Sequence, residues 1–493
     1  MAEPDPLATG LQLTRWLFLR LLGLVYAIAF GSLAVQVAGL IGPRGLEPAG
    51  SYLDWARSIY GGSAYRQLPT IFWLGAGDSA LRLVAWVGVA LGILVIAGVA
   101  TRAALVGAWL LYLSLSVAGQ DFLSFQWDAL LLETGVLAVL WAPPGWRPRR
   151  ELPPPSVLGR WLLVFLLFKL MFLSGATKLL SGDPTWRHLT ALDYHFETQP
   201  LPTWVGWYAH QLPPGVHRAQ TAIMFAIELG APWLLFVPDR LRALRYAGVA
   251  ALVLLQAGIA LTGNYGFFNL LAVVLCVPAL DDRVLGRLIP RRLGSRAPGP
   301  PWRHAVVVGL GCLIGLLSAL SGWAELGYTS AAAGGSAMVP RWGATLLDWV
   351  APLRSFNGYG LFRVMTTERP EIIMEASVDS THWLPWDLRY KPGPVNRAPA
   401  FVEPYHPRLD WQLWFAALDP MRGLPLLESL SRGLRAGTPA VAALVGPDPF
   451  HGAPPRFIRF AFYDYRFTTW SERRKTGAWW VRELRGYVPE PSR

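Results

Sequence analysis

The feature that most constrains this chain is a series of long apolar runs separated by short polar connections. The run 161–180 alone holds about 20 mostly apolar residues, the length needed to cross the hydrocarbon core of a bilayer. Only 15% of all residues are charged and 53% are hydrophobic, whereas soluble globular domains contain about 25% charged residues. The sequence therefore predicts an integral membrane protein.

Nine apolar runs are candidate membrane spans, and interruptions in several of them leave eight or ten spans open. The nine are 16–41, 80–100, 103–118, 126–142, 157–180, 220–237, 244–262, 267–280 and 304–323. We therefore predict an α-helical multi-pass membrane bundle of about nine spans over residues 1–323.

The segment 324–493 differs in composition, because it is rich in proline, arginine, aspartate and aromatic residues and contains no long apolar run. Period-two alternation and β-forming residues indicate strands in it. The expected strands are 371–377, 457–463 and 479–484, and the expected helices are 409–418 and 423–445. The prediction is a C-terminal soluble β-rich domain with a helical insert, packed on the outer face of the bundle.

Arginine placement predicts the orientation of the bundle. The connections 143–156, 238–243 and 281–303 carry several arginines, whereas 119–125 and 263–266 contain no lysine or arginine. The positive-inside rule assigns the arginine-rich connections to the cytoplasm. The net charge of +12 therefore reflects topology and attraction to membrane lipid, and we expect no nucleic-acid partner.

Nine spans place the N-terminus in the cytoplasm and the segment 324–493 on the opposite, lumenal or periplasmic side. The loops 42–79 and 181–219 then face the same outer side. The two cysteines, Cys276 and Cys312, lie within apolar runs. This placement excludes a disulfide framework and a cysteine-rich metal site.

Three ionisable side chains fall near the centres of predicted spans: Glu133, Lys169 and Glu228. A lysine at mid-bilayer costs about 2.5–3.5 kcal/mol on insertion scales, so it is expected to face the bundle interior and to pair. Glu133 is the simplest partner for Lys169, because a short connection joins their spans, and Glu228 is the alternative. Such a cluster is either a structural ion pair or a proton relay or acid–base pair.

Lys178 lies at the outer end of the same run. It can extend to the membrane surface, which is the structural interpretation, or act as a desolvated catalytic base. The loop that follows contains six further candidate site residues: Asp183, Trp186, His188, Asp193, His195 and Glu197.

The alternation Asp193-x-His195-x-Glu197 could converge ligand-type side chains on one face of a strand. No H-x3-H or H-E-x-x-H pattern accompanies it, so we expect no metal. The chain also lacks a Walker loop, a Rossmann fingerprint and a G-x-S-x-G elbow, and we expect no cofactor.

Six segments, in chain order, resemble signatures of the lipase maturation factor family. They are GQDFLSFQWDALLLETG (119–135), GDPTWRHLTALDYHFETQPLP (182–202), SFNGYGLFRVMTTERPEIIMEAS (355–377), KPGPVNRAPAFVEPYHPRLDWQLWFAAL (391–418), DPFHGAPPRFIRFAFYDYRF (448–467) and GAWWVRELRGYVP (477–489). The resemblance extends from about residue 60 to residue 489.

This resemblance implies a chaperone-like protein of the endoplasmic reticulum membrane that assists folding and assembly of secreted lipases. It favours a maturation factor over an enzyme. The composition suggests a bacterial source, for which the membrane would be the inner membrane. Charged and aromatic side chains within these motifs are candidate client-facing residues: Arg363, Glu368, Arg369, Arg408, Asp410, Trp411 and Trp414.

A shorter segment, GATKL (175–179) followed by Trp186, is similar to the lysine segment of the vitamin K-dependent γ-carboxylase and its membrane relatives. In that family a lysine at the matching place acts as the catalytic base. The resemblance keeps an alternative open, an integral membrane enzyme that uses Lys178. Transport is a third alternative, disfavoured because the sequence shows no inverted repeat.

Overall fold

The structure, a computed structural model, describes residues 10–147, 151–289, 293–295, 301–332 and 339–487. Parts of the arginine-rich connections 143–156 and 281–303 lie outside these residues. The N-terminal region is helical. Its main helices are α1 (Gln12–Ala34), α2 (Asp78–Ala97), α3 (Thr101–Ala118), α4 (Gln126–Trp141), α5 (Val157–Leu180), α6 (Pro214–Phe225), α7 (Arg242–Thr262), α8 (Phe268–Cys276) and α9 (Pro301–Ala332).

Six helices in the described part of the chain are long and apolar enough to cross a membrane. They are Gln12–Ala34, Asp78–Ala97, Thr101–Ala118, Val157–Leu180, Asp239–Thr262 and Ala305–Ala332. The predicted helical multi-pass region is therefore confirmed, whereas the count of about nine spans is not. Two of the other three predicted spans are shorter helices, since α4 has 16 residues and α8 has nine.

The predicted span 220–237 is interrupted. Helix α6 ends at Phe225, a π turn covers Ala226–Gly230, and a four-residue helix follows at Ala231–Leu234. Pro232 accounts for the interruption, because a proline ring clashes with the preceding turn and supplies no N–H to the helical ladder. The interruption widens the helix at Glu228, which lies inside the π turn.

Helix α1 is largely buried and packs closely against α2. A Cβ atom added to Gly23 would lie 2.8 Å from the carbonyl oxygen of Gly92, and one added to Gly88 would overlap the ring of Phe30. Glycines at fourth spacing thus let the two backbones touch, as is common in membrane helix pairs. Helices α1 and α5 are largely buried, whereas α2, α7 and α9 expose most of their apolar surface.

The C-terminal region contains a four-stranded antiparallel sheet in the order β2-β1-β3-β4. Its strands are β1 (Arg369–Ser377), β2 (Leu384–Pro385), β3 (Phe457–Phe467) and β4 (Trp480–Tyr487), and its main helices are α10 (Arg408–Leu418) and α11 (Pro420–Arg435). The expected sheet is confirmed, and three of its strands match the predicted ones.

Two boundaries differ from the sequence prediction. The single helix expected over 423–445 is two helices, α11 and Pro439–Ala442. Gly437 between them has φ +62°, a left-handed conformation that ends helices. Residue 324, the expected start of the soluble domain, lies inside α9, which continues to Ala332.

Candidate functional site at the junction of bundle and sheet domain

Lys169 and Glu133 form a buried ion pair between α5 and α4. The ammonium of Lys169 lies 2.6 Å from Oε1 of Glu133. It also donates to the hydroxyl oxygens of Ser318 at 2.7 Å and Ser321 at 3.2 Å, both on α9. All three protons of the ammonium therefore have an acceptor, which offsets the cost of burying the charge.

The same carboxylate holds a loop of the C-terminal region. Oε2 of Glu133 accepts a hydrogen bond from the Tyr359 hydroxyl at 2.7 Å and from the Asn357 backbone N–H at 3.3 Å. The ring of Tyr359 is buried, with its centroid 5.3 Å from the Lys169 nitrogen. We call the segment 355–365 the junction loop, because it connects α9 and the sheet domain to the charges inside the bundle.

Lys178 forms an ion pair with Glu228 and does not extend to the membrane surface. Its ammonium donates to both carboxylate oxygens, at 2.9 and 2.8 Å, and the two side chains are only 6% and 7% exposed. Gly175 allows this approach, since a Cβ there would lie 3.1 Å from the Cβ of Glu228. The expected extension of Lys178 to the membrane surface is therefore wrong.

Lys169 pairs with Glu133, the partner expected as the simplest, whereas Glu228, expected in the same cluster, pairs instead with Lys178. Glu228 lies in the π turn after α6, which faces the C-terminal end of α5. Lys178 is in the last turn of α5, whereas Lys169 is nine residues earlier. Helix rise separates the two lysines by about 13 Å along α5. Each lysine therefore pairs with the glutamate that lies at its own level along the helix.

The loop after α5 is hydrogen-bonded to the junction loop. Asp183 caps the helix Pro184–Arg187, and its other carboxylate oxygen accepts the backbone N–H of Met365 at 2.6 Å. The indole N–H of Trp186 donates to the carbonyl of Phe362 at 3.0 Å. His188 ends the same helix and is exposed.

Asp193, His195 and Glu197 lie on the helix Leu192–Thr198 and not on a strand. Asp193 and Glu197, four residues apart, share one face of this helix, whereas His195 points to a different side. Oδ1 of Asp193 lies 2.8 Å from Nδ1 of His217, and Nε2 of His195 lies 3.3 Å from the Tyr265 hydroxyl. Glu197 accepts the backbone N–H of Phe467 at 2.9 Å. The expected convergence on one strand face is wrong.

Two titratable groups beside the junction have shifted pKa values. Burial, aided by the positive charge of Lys178, lowers the pKa of His195 to about 4. Burial raises the pKa of Glu403 to about 8, although Tyr265 and Asn269 donate hydrogen bonds to its carboxylate. Both side chains are therefore expected to be neutral at pH 7.

A third buried ion pair, unlike the first two, joins the sheet domain to the bundle. The guanidinium of Arg408 donates to both carboxylate oxygens of Asp128, at 2.7 and 2.9 Å, and both residues are buried. Tyr112 on α3 donates to the same carboxylate. Sequence reasoning missed this pair, because the two residues are 280 positions apart in the chain.

Among the residues that the structure describes, no group of three or more histidine, cysteine, aspartate or glutamate side chains is arranged to hold a metal ion. The chemistry available at the junction is that of paired charges and hydrogen bonds. These contacts can hold the sheet domain in one position against the membrane bundle.

Comparison with known proteins matches both regions of the chain to one family. Residues 13–287 match the lipase maturation factor transmembrane domain, and residues 355–489 match the lipase maturation factor C-terminal domain. The chain belongs to the lipase maturation factor family. Lipase maturation factor 2 of Homo sapiens is 35% identical, with 96% of this chain and 82% of the relative covered.

Other members of the family are similarly related to this chain. Lipase maturation factor 1 of Bos taurus is 33% identical over 98% of this chain and 89% of its own length. Lipase maturation factor 1 of Mus musculus is 34% identical over 99% and 88%. No solved structure matches the chain.

Most motif residues that we expected to face a client are buried, so that expectation is corrected. The five buried ones are Arg369, Arg408, Asp410, Trp411 and Trp414. Asp410 accepts the backbone N–H groups of Tyr390 and Lys391, and the indole of Trp414 donates to Thr198. Their charges and rings pack the sheet domain and join it to the loop after α5.

The remaining two candidates are accessible to different degrees. Arg363 pairs with Glu325 at the end of α9 and is partly buried. Glu368 is 70% exposed and lies 3.1 Å from Arg485 at the edge of the sheet. Glu368 is therefore the one member of this set that the structure leaves open to a partner.

Proposed function

We propose that this protein is a membrane-embedded maturation factor that assists folding or assembly of secreted client proteins, with lipases as the client class. The observation that carries the proposal is the family match in both domains. It is supported by relatives named lipase maturation factors that cover 96–99% of this chain.

The geometry of the junction supports a holding function. Glu133 and Asp128, both on α4, bind the junction loop and Arg408 of the sheet domain. The sheet domain is thereby held against the bundle at two points by buried charge. A domain fixed in this way can present one face to a client while the client is still near the membrane.

We further propose that this face is lumenal in an endoplasmic reticulum membrane, or periplasmic in a bacterial inner membrane. The arginine placement supports the orientation, and the family supports the compartment. A reporter enzyme fused to the C-terminus, active only outside the cytoplasm, tests it. An inactive reporter on a correctly inserted chain would contradict the orientation.

The function is tested with the full-length protein in cells that secrete a lipase and lack their own lipase maturation factor. Its expression is expected to raise the activity of the secreted lipase per unit mass, since correctly folded enzyme accumulates. The matched control is the Arg408→Met variant, which is expected to lose this effect as the sheet domain loses its buried contact. No gain in specific activity with the wild-type chain would contradict the proposal.

The enzyme alternative rests on Lys178 as a base. In the structure its ammonium is occupied by both oxygens of Glu228, an arrangement that supports a structural role. A variant with Lys178→Met and Glu228→Met removes both charges together. If folded protein is retained and client maturation persists, the base is dispensable, whereas loss of maturation at an unchanged amount of folded protein would favour an enzyme.

A further inference from the structure

Four exposed aromatic rings from three distant segments lie side by side on the protein surface. We call Trp204, Tyr208, Phe401 and Trp470 the aromatic patch, and each is 41–45% exposed. The ring of Trp204 lies 5.6 Å from that of Phe401 and 6.0 Å from that of Tyr208. Tyr208 in turn lies 5.5 Å from Trp470. Contiguous exposed apolar surface of this kind marks an interaction site.

The patch is fixed to the C-terminal end of α7, one of the six helices able to span a membrane. The hydroxyl of Thr203, which precedes Trp204, donates to the carbonyl of Leu261 at 2.6 Å. The backbone N–H of Thr203 donates to the carbonyl of Thr262 at 3.2 Å. Trp204 therefore stands beside the last turn of α7.

Phe401 is attached to the same helix end from the sheet domain. Asn264, two residues beyond α7, donates to the carbonyl of Ala400 at 2.8 Å and accepts the backbone N–H of Val402 at 2.7 Å. These two residues flank Phe401 in the chain. The aromatic rings consequently lie beside the C-terminal end of a helix that is long and apolar enough to span a membrane.

The surface on either side of the patch is graded in polarity. Toward the centre of α7 the exposed side chains are aliphatic, as at Leu254 and Leu261. On the side of Trp470 the helix Trp470–Thr476 exposes Arg474 and Lys475. Neither cation makes an ion pair with any residue in the described ranges, while the acidic side chain of this helix, Glu472, is bound by Arg466 at 2.7 and 2.8 Å.

We propose that the aromatic patch and the helix Trp470–Thr476 bind the lipid–water interface, with Arg474 and Lys475 contacting phosphate groups of anionic phospholipid. The sequence of aliphatic, aromatic and cationic surface follows the polarity profile of a bilayer from core to headgroups. Trp470, Ser471, Arg474 and Lys475 line an open surface of this helix, which leaves the two cations accessible to a headgroup. The connection between β3 and β4 thus binds the sheet domain to the membrane directly, in addition to the contacts that the sheet domain makes with the bundle.

The depth of this helix can be measured in the full-length protein in nanodiscs of phosphatidylcholine and phosphatidylglycerol. Cys312 is exposed and is replaced by alanine, whereas Cys276 is buried and is kept. A spin label on Ser471→Cys is expected to be several-fold less accessible to a water-soluble nickel chelate than a label on His382→Cys. His382 is the reference because its side chain is 87% exposed. Equal accessibility at the two positions would overturn the proposal.

Charge reversal distinguishes lipid from protein as the ligand of this surface. Arg474→Glu with Lys475→Glu is expected to raise nickel accessibility at position 471 several-fold in anionic nanodiscs, because phosphate repels the new carboxylates. Arg432→Glu with Arg435→Glu, which reverses two exposed cations at the end of α11, should leave it unchanged. Unchanged accessibility in the first variant, or protection that arises only when a lipase is added, would overturn lipid binding.

Discussion

Tyr359 and Lys169 contact the same carboxylate from opposite regions of the chain: the tyrosine hydroxyl binds Oε2 of Glu133 at 2.7 Å and the lysine binds Oε1 at 2.6 Å. Lys169 is in a membrane-spanning helix, and Tyr359 is in the junction loop. Glu133 therefore connects the packing of the bundle to the position of the sheet domain.

The Lys169–Glu133 pair is expected to be strongly coupled. Lys169→Met leaves a buried carboxylate without a counter-charge and is expected to reduce the free energy of unfolding by about 3–5 kcal/mol. Adding Glu133→Gln should restore most of this loss, because the neutral amide still accepts from Tyr359. Unfolding in detergent micelles measures both variants, with the exposed Arg218→Met as control. A double variant no more stable than Lys169→Met would contradict the coupling.

Tyr359→Phe tests the attachment of the junction loop. The variant loses one hydrogen bond to a charged group, which typically contributes about 1.5–3 kcal/mol. We expect faster proteolytic cleavage within 355–365 together with reduced thermal stability. Tyr60→Phe, at an exposed position, is the matched control. Cleavage at the wild-type rate would mean that the tyrosine hydroxyl does not hold the loop.

The Arg408–Asp128 pair is expected to hold the sheet domain in place. Arg408→Met should lower the free energy of unfolding by about 3–5 kcal/mol, since it leaves Asp128 buried and unpaired. Arg408→Lys keeps the charge but loses the two-pronged geometry, so its cost should be smaller. A thermal-unfolding comparison with the exposed Arg422→Met, expected to change stability by less than about 0.5 kcal/mol, measures the effect. Equal costs at positions 408 and 422 would contradict it.

Glu403 is expected to make stability fall as the pH rises. Its pKa is raised from 4.5 to about 8, so between these values the folded protein holds a proton that the unfolded chain has released. The stabilisation is fully present below pH 4.5 and is lost as the pH approaches 8. Glu403→Gln, which cannot ionise, should remove this slope, whereas Glu368→Gln at an exposed position should retain it.

The measurement is best made above pH 6.5. Burial lowers the pKa of His195 from 6.5 to about 4, so its contribution is lost as the pH falls and has the opposite sign. Thermal unfolding of the wild type and Glu403→Gln between pH 6.5 and about 8 isolates the carboxyl group. Parallel curves for the two proteins would show that Glu403 is already ionised in the folded state.

Local pattern was sufficient for the elements of the fold and for the family. Apolar runs predicted the helices of the bundle, and period-two alternation predicted β1, β3 and β4. The rare-residue motifs at 119–135 and 355–377 indicated the lipase maturation factor family. The interruption at Glu228 was missed, although Gly230 and Pro232 were the signal that could have revealed it.

The sequence by itself determined that this protein is a multi-pass membrane protein and that a lysine at mid-span needs a buried partner. The first conclusion follows from the length of the apolar runs, and the second follows from the cost of burying a charged residue type. Only the tertiary structure decided that Lys178 pairs with Glu228 and that Lys169 pairs with Glu133 and not with Glu228. It also decided that Arg408 turns inward to Asp128 and is buried. Those choices depend on contacts between residues that are 36 to 280 positions apart, and hydrophobic periodicity contains no information about such distances.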